Sequence, residues 1–546
     1  MKKLNIIMAQ INPTVGDVAG NTQRVMESVR HAEEEYAANV VVFPELTLCG
    51  YPPEDLLLRA SMHSRIEAAR KVLQLTKFKA VVIVGYPLYK EDKCFNMAGV
   101  LEGGQWIAEY AKQELPNYQV FDEKRYFVEG KNTCVFELHG IPVALTICED
   151  IWHAGPMIQA HERGAKLMIN LNASPFHLTK RQQRLDLLSQ RAREGDMPII
   201  YVNQVGGQDE LVFDGGSFVT DAGGNCVVQA PHYEEGFFSV QLELKGDTLT
   251  VINQALPVAP PPLQIIYDAL VLGVRDYVRK NGFKKAILGL SGGIDSALTL
   301  AIAVDALGAE NVSAVMMPFR YTSDLSRNDA KEQADIMGVD YRVIGIEPIY
   351  DAFMSGLFES FEGKPVDLTE QNLQARCRGV ILMAISNKTG AIVLTTGNKS
   401  EMAVGYSTLY GDMAGGFDAL KDVPKMTVFT LAQYRNSLCE QGEYIIPPSV
   451  IERPPSAELA PDQKDEDNLP PYDILDQILE RYIELDESAD VITAAGFDSE
   501  TVHRVLRLVD INEYKRRQAP IGVRISQRGF GRDRRYPITN GWTPGE

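Results

Sequence analysis

Short apolar runs alternate with stretches of helical periodicity along almost the whole chain. In the first half, the runs at 4–10, 40–43, 80–85, 143–147, 167–171 and 199–202 predict β-strands, and 213–218 and 237–240 read as two more. Helical spacing predicts helices over 21–39, 155–164 and from 180 to about 194. In the second half, expected strands at 285–290, 312–317, 341–344 and 392–395 alternate with helices such as 296–307 and 330–337, and a further helix is expected over 501–514. Such alternation predicts α/β layers, with a parallel sheet and right-handed crossovers in the second half.

One segment interrupts the alternation. Leu256-Pro257-Val258-Ala259-Pro260-Pro261-Pro262 holds four prolines in six residues. Proline lacks the backbone donor and fixes φ, so neither a helix nor a central strand can run through it. It is expected to be a stiff linker over 256–263, dividing the chain into a domain at 1–255 and another at 264–546. Residues 452–471, rich in Pro, Asp and Glu, are expected to form a mobile loop.

Composition narrows the class. The chain has 546 residues, enough for two domains or more, with 45% apolar and 23% charged residues. A formal net charge of −19 repels nucleic acid and anionic membrane at long range, so neither is an expected partner. No apolar run is long enough to span a bilayer. The opening Met1-Lys2-Lys3-Leu4 superficially suggests a secretory leader, but its apolar run is broken by Asn5, Gln10 and Asn12, and a first strand fits better. Seven widely spaced cysteines, an odd number without a Cys-x-x-Cys pair, suit reduced thiols in the cytoplasm.

The sharpest motif runs through Gly289, Leu290, Ser291, Gly292, Gly293, Ile294, Asp295 and Ser296. It leaves an apolar strand, turns at two glycines and opens a helix. Free backbone N–H groups and the positive helix end then converge on one point, which suits a phosphate. Ser291 and Ser296 add hydroxyls, and Asp295 can hold Mg²⁺ against phosphate. No Gly-Lys-Ser/Thr ending follows, so this is not the loop of kinases and GTPases. It resembles the pyrophosphate loop of ATP pyrophosphatases, which implies ATP as co-substrate.

Three segments of the first half carry a second chemistry. Val143 to Ile147 runs into Cys148, then Glu149 and Asp150. A thiol at a helix start is expected to have a lowered pKa. Glu45 ends another strand, and Lys112 precedes a turn. Singly, each residue has a bland reading as core thiol or surface charge. Together, in this order, they resemble the Glu-Lys-Cys triad of the nitrilase superfamily. The resemblance implies an αββα sandwich, with Glu45 as general base, Cys148 as nucleophile, and Lys112 with the backbone N–H of Glu149 stabilising the oxyanion. It also implies Glu123 as a supporting carboxylate, and Tyr118, Ser174 and Lys180 as the glutamine site. A Gly-x-Cys-x-Gly elbow and a cysteine next to the start, marks of other glutaminases, are both missing.

A nitrilase-type half joined to this ATP loop is similar to the glutamine-dependent NAD synthetase family. That resemblance extends to Glu370–Arg378, implying that Asn372 contacts deamido-NAD. It includes Thr395-Thr396-Gly397-Asn398-Lys399-Ser400-Glu401, implying ATP contact for Thr396 and a Mg²⁺ or dinucleotide role for Glu401. It also covers the stretch from Leu409 to Lys421 as a mobile active-site loop. The tail from Lys515 to Arg535 holds eight Lys or Arg and one acid, Asp533. It resembles the family's substrate segment, with Lys515 the first choice among Lys515, Arg516 and Arg517. The family implies amidation of deamido-NAD through an adenylate, Mg²⁺, a protected ammonia passage and a homo-oligomer. Two rivals stand beside this: the same plan with another acceptor, and a scaffold protein on degenerate enzyme folds.

Overall fold

The computed structural model describes residues 2–246, 248–461 and 463–543. The chain divides into two compact units, Met1–Pro260 and Pro261–Glu546. Helix Pro262–Lys280 begins inside the segment expected to be linker. Proline at the first helical position is favoured, because its missing N–H would have no partner there anyway.

The first unit is built on two sheets. The larger runs, edge to edge, Thr248–Val251, Gly236–Lys245, Lys2–Gln10, Val40–Val42, Val81–Lys90, Lys93–Glu102 and Gln105–Ala111. The smaller runs Cys226–Gln229, Phe218–Thr220, Ile199–Asn203, Leu167–Asn172, Ile141–Ile147 and Cys134–Leu138. One parity of the strands faces the other sheet: Ile6, Met8, Val40 and Val42 pack with Leu145, Ile147, Ile169 and Leu171. The opposite parity of the larger sheet, Ile7, Val41 and Val82, packs with Val25, Val29 and Ile66 of helices Val18–Tyr36 and Ala60–Leu75. Ala144, Met168 and Tyr201 of the smaller sheet pack with Met157 and Leu188 of helices Ala154–Glu162 and Lys180–Gly195. Strands covered on both faces must be apolar in both parities, and the layers are the expected αββα sandwich.

The expected strand at 213–218 is two strands, Leu211–Asp214 and Phe218–Thr220. Gly215 and Gly216 between them have φ of 61° and 58°, a left-handed bend that ends one ladder before the next begins. Apolar periodicity alone does not show such a break.

The second unit holds a five-stranded sheet in the order Asp340–Val343, Val312–Met316, Ala286–Gly289, Ile392–Thr395 and Phe417–Asp418, parallel throughout. The chain starts at the central strand and builds outward on both sides. The order therefore reverses beside Ala286–Gly289, the position at which parallel α/β sheets of this kind hold their ligands. A helical cluster packs Leu475, Ile478, Val502, Val505 and Leu506 around Ala403 and Val404.

The expected helix 501–514 is broken into Ser499–Ile511 and a short turn, Glu513–Arg516. Asn512 breaks it: its side-chain amide donates to Leu508 O one turn back, at 2.8 Å, and to Val404 O at 2.9 Å. Within 452–471, Glu458 accepts the Ser323 and Ser326 hydroxyls, each at 2.8 Å. No helix among the described residues is long and apolar enough to cross a membrane.

Candidate active sites

In the first unit, Glu45, Lys112 and Glu123 form a buried ion cluster. Lys112 Nζ lies 2.8 Å from Glu45 Oε1 and 2.8 Å from Glu123 Oε1. Glu45 also accepts Asn96 Nδ2 at 2.7 Å and the Ala173 N–H at 3.0 Å, so both of its oxygens are aimed. Tyr51 donates to Glu123 Oε1 at 2.9 Å. Burial and the neighbouring Glu45 push Glu123 up to about 7, against the pull of Lys112. Burial lowers the Lys112 pKa, but Glu123 and Glu45 outweigh it and hold the ammonium well above its ordinary value.

Cys148 is buried where strand Ile141–Ile147 gives way to the turn Cys148–Trp152. Its φ of 43° is in the left-handed region, which is unusual for a residue with a side chain and marks a strained turn. The expectation of a lowered thiol pKa is corrected. Burial, and then Glu45, push it well above its ordinary value, and Lys112 only partly offsets them. The turn is one short 3₁₀ stretch, so its dipole is weak beside a full desolvation penalty. Burial and Glu45 thus favour the thiol over the thiolate.

Tyr118 donates to both Glu149 carboxylate oxygens, at 3.1 and 3.0 Å. Lys180 places its ammonium 3.9 Å over the Trp152 ring. Ser174 is buried; its Oγ accepts Arg184 Nε at 3.2 Å, while Arg184 pairs with Asp214 at 2.7 Å. Tyr118 and Lys180 thus border the turn that carries Cys148, and Ser174 adjoins Ala173 on Glu45. Sequence reasoning passed over Asn96, Tyr51, Glu149 as a side chain, and Asp150. Of these, only Glu149 and Asp150 had a local signal, as neighbours of the cysteine.

In the second unit, the glycine loop leaves Ala286–Gly289, and Leu290 stays in the sheet through its N–H to Val315 O at 3.0 Å. Ser296 Oγ, on helix Ile294–Leu307, accepts the Ser291 N–H at 3.2 Å and donates to Gly293 O at 2.9 Å, closing a compact ring. Gly292 has φ of 82°, and a Cβ there would lie 2.3 Å from Ser326 O. Only glycine fits.

Asp295 accepts Lys425 Nζ at 2.5 Å and Asn398 Nδ2 at 2.8 Å. Glu401 Oε1 accepts the same ammonium at 2.9 Å. Burial pushes Glu401 up to about 7; Lys425 pulls it down and Asp295 pushes it up. Two carboxylates share one cation. Mg²⁺ needs only one or two protein carboxylates, the rest coming from phosphate and water, so this pair fits it. No group of three or more His, Cys, Asp or Glu able to hold a metal occurs among the described residues.

Thr396 lies half-buried just past strand Ile392–Thr395. Asn372 Oδ1 accepts Thr408 Oγ1 at 2.8 Å. Lys515 lies in the last turn of the short helix Glu513–Arg516 and not at the end of one helix over 501–514. Its ammonium donates to Gly405 O at 2.6 Å and Ser407 O at 2.9 Å, beyond the C-terminal end of helix Lys399–Val404. Much of the basic tail is spent on ion pairs: Arg516 and Arg517 with Glu513, Arg524 with Asp533, Arg534 with Glu513 and Asp510.

The comparisons with known proteins agree with both halves. Residues 6–247 match the carbon-nitrogen hydrolase family, and residues 266–519 match the NAD synthase family. A glutamine-dependent NAD(+) synthetase of Acinetobacter baylyi is 49% identical over 100% of both chains. The chain belongs to the glutamine-dependent NAD(+) synthetases. A relative from Thermotoga maritima is 44% identical over 99% of each chain. The solved glutamine-dependent NAD+ synthetase of Acinetobacter baumannii, in complex with ADP, is 47% identical with full coverage of both chains and a TM-score of 0.80. The chain is therefore an enzyme of this family, a ligase that uses ATP and takes nitrogen from glutamine. Membership sets aside the scaffold reading, and the fused nitrilase-type and synthetase units account for the two separate sites.

Proposed function

We propose that the enzyme amidates deamido-NAD to NAD, with AMP, pyrophosphate and glutamate as the other products. The observation that carries this is the pairing of a buried Glu45–Lys112–Cys148 cluster with an ATP loop whose Asp295 meets Glu401 across one cation.

At the first site, Glu45 takes the thiol proton as Cys148 Sγ bonds to the glutamine carbonyl carbon. The raised thiol pKa supports a base-dependent attack rather than a standing thiolate. Lys112 and the Glu149 N–H meet the developing oxyanion. Ammonia leaves with the proton from Glu45, and water then cleaves the thioester to glutamate. Glu149, Tyr118, Ser174 and Lys180 hold the glutamine, the acid suiting its α-ammonium and the lysine its carboxylate.

At the second site, the nicotinate carboxylate attacks the α-phosphate of ATP and pyrophosphate leaves. Bound at Asp295 and Glu401, Mg²⁺ would neutralise charge on the phosphates. The N–H groups of the 289–296 loop and helix Ile294–Leu307 orient the leaving group. Asn372 and Lys515 hold the dinucleotide, and Thr396 touches ATP. Ammonia then displaces AMP from the adenylate carbonyl. Seven unpaired cysteines support a reducing compartment such as the cytoplasm, and a homo-oligomer is part of the same reading.

The test is NAD formation from deamido-NAD, ATP, Mg²⁺ and glutamine, with stoichiometric AMP and pyrophosphate. ATP cleavage with another acceptor but not with deamido-NAD would replace this function.

A further inference from the structure

Asp150 takes no part in the chemistry above, yet its carboxylate is fully buried and accepts four hydrogen bonds. Oδ1 accepts the N–H groups of Gln113 and Glu114, at 3.0 and 2.8 Å. Oδ2 accepts the Ile147 N–H and the Tyr110 hydroxyl, both at 2.8 Å. The donors are divided by segment. Gln113 and Glu114 directly follow Lys112, and Tyr110 stands just before it near the end of strand Gln105–Ala111. Ile147 directly precedes Cys148. One carboxylate thus ties the chain beside the oxyanion lysine to the chain beside the nucleophile.

We infer that Asp150 is a positioning residue that sets the placement of Lys112 against Cys148 in the glutaminase reaction. This rests on the reading of Cys148 as nucleophile. The two residues stand on different sheets, Lys112 past the edge of the larger and Cys148 at the end of a strand of the smaller. Their separation therefore depends on how the two layers are held together, and the apolar core between them has no directional preference of its own. Hydrogen bonds to a single carboxylate are directional and charge-assisted, so they hold the two segments at a defined distance. The Glu149 N–H lies between Cys148 and Asp150, and the same clamp fixes it as an oxyanion donor.

An asparagine at 150 is nearly isosteric but accepts on one arm only. Its NH₂ would face N–H donors on the other arm, either Gln113 and Glu114 or Ile147, so one segment is released. A misplacement of about 1 Å in such a site costs on the order of 10²-fold in rate. The experiment measures glutamine hydrolysis by full-length Asp150→Asn well below its melting temperature, with ammonium-dependent synthesis as the reference. We expect kcat for glutamine to fall about 10²-fold with KM changed less than about threefold, because the reacting groups are displaced and the glutamine pocket is not. A purely structural role would lower the melting temperature and leave kcat intact; that result, or a loss confined to KM, overturns the inference. If Asp150→Asn does not fold, Tyr110→Phe carries the test. It removes the hydroxyl that joins Asp150 to the strand leading into Lys112, and about a tenfold loss of kcat at constant KM is expected, while an unchanged kcat overturns the clamp. Cys148→Ala is run in parallel: glutaminase activity surviving there removes the nucleophile assignment itself, a failure distinct from an unaffected Asp150 variant.

Discussion

The ammonium of Lys425 lies 2.5 Å from Asp295 Oδ2, although 130 residues separate the two in the chain. It reaches Glu401 as well, at 2.9 Å. This one buried cation is what lets two carboxylates stand close together at the mouth of the ATP loop. Lys425→Met would leave both acids buried without it, and breaking a buried pair costs about 3–5 kcal/mol. Urea unfolding should show that loss, and NAD synthesis should fall with either nitrogen donor. A variant that melts like the parent would show that the acids are solvated and the pair is weak.

In the proposed reaction, Asp295→Ala removes the carboxylate assigned to the Mg²⁺ that attends the phosphates. A loss on the order of 10³-fold in rate is expected. Glutamine and ammonium should fail to the same degree, because both act on the adenylate that this site makes. Near-normal synthesis with ammonium takes Asp295 out of the site.

Cys148→Ala should separate the donors in the opposite way. Synthesis from glutamine vanishes, and synthesis from added ammonium remains. The check is NAD formation with each donor in turn, and substantial glutamine use by the variant would place the nucleophile elsewhere.

Glu123 makes stability depend on pH. Its pKa is about 7 in the fold against 4.5 for the free side chain. Between those values the folded state keeps a proton that the unfolded chain has lost, so the stability of the parent falls as pH rises through this window. Glu123→Gln cannot ionise and still leaves Lys112 paired with Glu45. Relative to the parent, it should match at pH about 4, below both values, and become the more stable protein by pH about 8. Denaturant midpoints at the two pH values decide it; a variant that loses ground as pH rises would mean that Glu123 is stabilised as an anion.

Lys515 and Arg516 are neighbours with different expected effects. Lys515 is half-buried on two carbonyls, and Lys515→Ala should raise the KM for deamido-NAD or slow adenylation, with glutamine hydrolysis unchanged. Arg516 is buried against Glu513 and donates to Ala403 O at 2.5 Å. Arg516→Ala should therefore act mainly on stability, by about 3–5 kcal/mol. Ammonium-dependent kinetics beside thermal melting distinguishes them, and an unaltered deamido-NAD response in Lys515→Ala removes that residue from the substrate site.

What the amino-acid sequence determined by itself was whatever chemistry is local. The glycine loop at 289–296 is legible because strand, turn and helix start are consecutive, so their N–H groups must converge. The αββα layers and the parallel sheet were legible because apolar periodicity repeats strand by strand. Glu45, Lys112 and Cys148 were legible only through a resemblance, since nothing in their separate surroundings says that they meet. The tertiary structure decided what acts through space. Cys148 is pushed up rather than down because burial and Glu45 outweigh a short turn and Lys112, and neither burial nor Glu45 is near it in the chain. Lys425 carries no local mark in Pro424-Lys425-Met426, and its role follows from two acids, one of them 130 residues away. Asp150 reads in sequence as one more acid at a turn, and becomes a clamp only when the other sheet brings Gln113 and Glu114 to it. The basic tail reads as a substrate segment by resemblance; in the fold Arg516 and Arg517 pair with Glu513 just before it, Arg524 pairs with Asp533 inside it, and Arg534 reaches back to Asp510 and Glu513. Charge and hydrogen bonding depend on distance and solvent exposure, and in this enzyme those are set by the packing of sheets and helices rather than by order along the chain.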